Sequence, residues 1–149
     1  MKSLYNSHCR EELKNRVSSL KADMQPLFGK MTAPTAVPHL IDQLLVAEGK
    51  KESRERNTGF IMKHIMRPLI IHWLPWPKGK VETVPEMLET QAGDFEQDKQ
   101  KLKSLIDDFP KEVVAGSRRV HPAFGPLCGR EWAILSYRHL DHHLSQFGV

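Results

Sequence analysis

Four stretches of the chain repeat apolar residues at the spacing of a helix with one buried face. Between Ser7 and Ala22, Leu13, Val17 and Leu20 fall at i, i+4 and i+7, with Asn6 or Ser7 available as the N-cap. Between Thr35 and Glu48, the residues Val37, Leu40, Ile41, Leu44 and Leu45 make a wide apolar face, and Gly49 follows as a stop. From Asp94 to Phe109, Phe95, Leu102, Leu105, Ile106 and Phe109 share one side, and Pro110 is expected to end the helix. From Gly129 to Gln146, Trp132, Leu135, Leu140 and Leu144 mark a fourth buried stripe, with Cys128 and Glu131 at capping-box spacing. No stretch of any length alternates convincingly as a strand.

The connections bear on topology. Helices 1 and 2 are joined by a short link, whereas everything from Lys50 to Gly93 separates helices 2 and 3. A long connection permits a parallel crossover. Within it, "TGFIMKHIMRPLIIHWL" is expected to form one or two short extra helices around Pro68, followed by an extended tail, "LPWPKGK". The resulting expectation is an all-α four-helix bundle, one domain over residues 1–149, with an elaborated crossover between helices 2 and 3.

Composition narrows the function. Hydrophobic residues are 40% and charged residues 27% of the 149, the balance of a folded domain. The apolar run "PLIIHWLPWP" is too short and too broken by proline to span a bilayer. The beginning, "MKSLYNSHCREELKNRV", has no apolar signal core, so a cytoplasmic location is expected. Two cysteines far apart, Cys9 and Cys128, suggest neither a disulfide framework nor a zinc knuckle. The net charge of +4 is spread among interleaved acids, so no nucleic-acid partner is expected.

Eight histidines remain to be explained, and three lie together in "RHLDHHLSQFGV". On a helix, His139 and His143 project from one face and can hold one metal ion. His142 is three residues from His139, so spacing alone leaves His142 and His143 as alternatives for the second ligand. A third ligand has to come from another helix. Among His39, His64, His72 and His121, His39 is the choice because it sits in a core helix, with His64 in reserve. Against this stands the blander reading, in which the histidines decorate a surface or pack in a core. Starting helix 2 at Thr35 keeps Pro38 in its first turn, where the missing N–H does no harm. A start at Thr32 would put Pro38 in the interior and remove a bond to the Pro34 carbonyl.

The run "HPAFGPLCGREWAILSYRHLDHHLSQFGV", with "LFGKMTAPTAVPHLIDQL" and "LPWPKG", resembles a branch of the DinB/YfiT-like metalloenzyme superfamily over essentially the whole chain. The resemblance implies an up-down-down-up bundle and a divalent metal, nickel or zinc, on His39, His139 and His143. Gln146 matches a glutamine that often follows the pair and would support a ligand from behind. Pro38 and Cys128 depart from the pattern, standing where relatives carry a helix-favouring residue and a serine or threonine cap. Characterised relatives include thiol-dependent S-transferases, which implies a small-molecule substrate, a low-molecular-weight thiol as co-substrate and a homodimer. Asp42 is a candidate general base. The competing expectation is a non-catalytic helical protein, binding a ligand or forming a dimeric scaffold around a vestigial or structural histidine cluster.

Overall fold

The computed structural model describes residues 1–76 and 90–149. Four long helices, α1 (Ser7–Ser19), α2 (Ala33–Glu48), α5 (Phe95–Glu112) and α6 (Gly129–Gln146), carry most of the core. A short continuous helical stretch comprises α3 (Gly59–Ile61), a π-helical turn (Met62–Met66) and α4 (Arg67–His72). Two strands, β1 (Arg118–His121) and β2 (Gly125–Cys128), pair antiparallel.

Each long helix begins where a side chain can satisfy its open amides. Asn6 Oδ1 accepts from the Cys9 amide in α1, and Asp94 Oδ1 from the Gln97 amide in α5. α1 stops short of Ala22 because Leu20 turns to extended backbone and buries its side chain. The Lys99 ammonium, reaching from α5, donates to the Ser18 and Leu20 carbonyls left open there, at 3.3 and 2.8 Å. At the end of α2, Gly49 takes φ +74°, a left-handed conformation that glycine tolerates and other residues resist.

Two further expected boundaries are corrected. α2 starts at Ala33, not Thr35, because Thr32 receives the cap: its amide donates to Thr35 Oγ1, and its carbonyl accepts from Ala36 at 2.9 Å. Pro38 therefore lies inside the helix, and the Pro34 carbonyl loses its usual donor. α2 tolerates this because it is buried on nearly every face, packed by α5, α6 and β1, so tertiary contacts outweigh the lost bond. α5 likewise runs through Pro110 to Glu112, and the Val113 amide still reaches the Phe109 carbonyl at 2.8 Å.

The expected all-α four-helix bundle is corrected as well. α1 and α2 each pack against α5 and α6, but the fold also holds α4 against α6 and a β-hairpin against α2 and α6. The chain is mostly helical with a two-stranded sheet. The stretch "HPAFGP" is the hairpin turn: His121 pairs with Gly125 across three residues, and Gly125 takes φ +69°, the left-handed position such loops need. Trp132, fully buried in α6, donates its indole N–H to the Arg119 carbonyl and fastens β1 to the helix. The one or two short extra helices expected around Pro68 are present as the continuous stretch of α3, the π-helical turn and α4. Pro68 has no N–H, and the turn before it widens, so that the Arg67 amide reaches back five residues to the Met62 carbonyl.

Candidate metal centre

His39 comes from the middle of α2, and His139 and His143 come from successive turns of α6. The two helices pack face to face and bring the three rings together. The Nε2 atoms of His39 and His139 are 2.8 Å apart, and His143 packs edge-on to both, with ring centroids at 4.8 Å. One ring nitrogen from each lies within 4.8 Å of the others, so the trio can hold a metal ion. Imidazole–metal bonds of about 2.0–2.1 Å in a tetrahedron separate neighbouring ligand nitrogens by about 3.3 Å, so His39 and His139 would move apart by about half an ångström to take an ion. Pro38 does not carry His39 out of this arrangement.

A chain of hydrogen bonds assigns the tautomer of His143. The Phe28 carbonyl can only accept, so the Gln146 amide points its NH₂ there, at 2.7 Å. Gln146 Oε1 then faces His143 Nδ1 at 3.1 Å and accepts its proton. His143 is left with an unprotonated Nε2, the form in which imidazole binds metals.

The electrostatics favour neutral rings. Burial first, and then the neighbouring imidazoles, hold His139 well below its ordinary 6.5 and bring His143 to about 3; the Gln146 bond opposes the shift at His143. His139 and His39 are 8% and 2% exposed. His139 Nδ1 is buried with no hydrogen-bond partner, so the protein leaves part of that ring's bonding capacity unmet. This is the ring's other nitrogen, not the Nε2 that faces His39, so an ion held between the Nε2 atoms would not be its partner.

Comparison with protein-family models, curated proteins and solved structures found no match. Geometry and donor chemistry alone point to a metal here.

The other candidates lie apart from the trio. His142 is turned toward Phe28 and Trp76, with ring centroids at 5.3 and 5.8 Å, so of the two alternatives His143 is the one grouped with His39 and His139. His64 packs on Phe60 at the exposed surface. His72 Nδ1 is 3.5 Å from Met1 Sδ. His121 stacks on Phe124 in the hairpin and accepts from the Ala123 amide. Asp42, the candidate general base, is fully buried and bound to the Thr90 amide, the Thr90 hydroxyl and the Lys51 ammonium. Those bonds tie Thr90 to α2 and engage both carboxylate oxygens.

Two further residues neighbour the site. Gln43, one turn after His39, donates to Ser136 Oγ at 3.0 Å and bridges α2 to α6 beside the trio. Trp76 packs against His139 and His142 at 5.7 and 5.8 Å, whereas Trp73 is 77% exposed. In the expected tail "LPWPKGK", residues 77–80 lie outside the described residues.

Proposed function

We propose that His39, His139 and His143 hold a divalent cation and that the protein is a metal-dependent enzyme acting on a small molecule. The observation that carries this is the buried Nε2–Nε2 approach of His39 and His139, with the His143 ring closing the third side. Three neutral imidazoles leave a bound cation its full charge, which lowers the pKa of a coordinated water or thiol toward neutrality. An all-imidazole donor set suits zinc or nickel and disfavours magnesium or calcium, which select oxygen ligands.

Within this reading, Gln146 holds His143 in the ligating tautomer, and the Gln43–Ser136 bond fixes the separation of α2 from α6. The motif resemblance to DinB/YfiT-like proteins supports thiol S-transfer as the reaction class, with a low-molecular-weight thiol as co-substrate. It supports a homodimer too. A cytoplasmic setting agrees with two free cysteines, Cys9 and Cys128. Among the described residues, no helix is long and apolar enough to cross a membrane.

Metal analysis of protein purified without a histidine tag tests the proposal. Near-stoichiometric zinc or nickel is expected in the wild type, with loss of the metal in His139→Ala and in His143→Ala. A wild type that neither retains metal nor takes it up at neutral pH would leave the histidines as packing.

A further inference from the structure

The trio is buried, so anything that reaches it from solvent has to pass a side chain that moves. We propose that Trp76 is the movable cover of the histidine site and that Arg138 is the latch that holds it closed. This rests on the reading of the trio as a ligand site, because it names what governs access to that site.

The strap is the chain from Ile70 to Trp76. It leaves α4 and turns back so that the Trp76 ring lies against His139 and His142. One bond internal to the strap, from the Trp76 indole N–H to the Ile70 carbonyl at 3.2 Å, sets the direction of the ring. The amides of Trp73 and Leu74 both donate to the Leu69 carbonyl, at 2.8 and 2.7 Å, and the remaining side-chain bonds to the strap's carbonyls come from one residue. Arg138, immediately before His139 on α6, donates to the carbonyls of Ile70 at 2.9 Å, Ile71 at 3.0 Å and Leu74. Its guanidinium also lies 5.9 Å from the centre of the Trp76 ring. A single side chain thus satisfies carbonyls that α4 leaves open at its end and touches the ring that covers the site.

Apolar packing holds the two ends of the strap differently. Ile71 is fully buried and anchors one end, whereas Trp73 and Leu74 are 77% and 39% exposed. Few apolar contacts and a few partly exposed hydrogen bonds are the marks of a segment that opens locally while the rest stays folded. Releasing Arg138 leaves Leu74 tied to α4 through the Leu69 carbonyl and lets Pro75 and Trp76 swing beyond it while Ile71 stays in place. Opening uncovers His139, the ring with an unpartnered buried nitrogen.

Carbethoxylation of metal-free protein by diethylpyrocarbonate, followed histidine by histidine by mass spectrometry, tests this without requiring any metal to bind. His8, which is exposed, is the internal reference. In the wild type His139 should react far more slowly than His8. In Arg138→Gln and in Trp76→Ala it should react faster by on the order of tenfold or more, with His8 unchanged. Amide exchange at Leu13 and Val17 in α1 shows whether an acceleration is local; where Arg138→Gln loosens these too, Trp76→Ala decides. Wild-type His139 labelling as fast as that of His8, or rates unchanged in the variants, would overturn the cover. A protein that binds no metal while His139 is exposed by both variants keeps the cover and loses the metal reading.

Discussion

Gln146 illustrates how one amide can decide the chemistry of a neighbouring ring. Its orientation follows from the Phe28 carbonyl, and the His143 tautomer follows from Gln146. Gln146→Leu removes both bonds with little change of volume, and metal affinity should fall about 10–100-fold in a chelator competition titration. Unchanged affinity would show that His143 needs no such support. His121 gives a pH prediction away from the trio. Burial brings it to about 3 from an ordinary 6.5, so as pH falls the unfolded chain takes up this proton first. The stability tied to this residue is full above about pH 6.5 and is lost progressively toward pH 3, at up to about 1.4 kcal/mol per pH unit. Denaturant unfolding of metal-free protein at about pH 7 and about pH 5 should show a shallower loss in His121→Gln than in the wild type. An equal loss would mean that this ring is not titrating across the transition.

At the level of elements, α6 was legible from its period and from Glu131, whose carboxylate accepts from the Cys128 amide as the capping-box spacing implies. The hairpin was not. Strands of four residues are too short to display alternation, and the glycine and prolines that form the turn read only as a break between helices. The start of α2 is not legible in the sequence, because burial on nearly every face of the helix outweighs the local preference of proline for a first turn. Gly129 is a position where the junction between hairpin and helix tolerates no side chain. A Cβ there would lie 2.1 Å from the Val114 carbonyl oxygen and 2.7 Å from the Tyr5 hydroxyl. Gly129→Ala should therefore cost about 1–3 kcal/mol of stability in thermal or denaturant unfolding, and a neutral result would show that the 113–117 turn yields easily.

For the whole molecule, the sequence makes visible what one helix carries and hides what two elements make together. The His139–His143 pair is a matter of spacing on α6, and His39 is a matter of residence in an apolar helix. Spacing leaves His142 and His143 open and the motif resemblance implies His143; Phe28 and Trp76, in segments far away in the chain, are what the His142 ring turns toward. The packing of Trp76 on His139 and the bonds from Thr90 to Asp42 likewise join segments distant in the chain. A cation that binds the folded chain and not the unfolded one should also stabilise the whole domain, by about 2.7 kcal/mol when present at a hundred times its dissociation constant. That gain should vanish in His143→Ala.

X-ray absorption at the metal edge of protein loaded with one equivalent of zinc or nickel tests the three-histidine site most directly. The predicted spectrum has a nitrogen shell at about 2.0–2.1 Å with the outer-shell scattering of three imidazoles, and it loses imidazole scattering in His39→Ala. A shell with sulfur at about 2.3 Å, or a spectrum unchanged by His39→Ala, would contradict it.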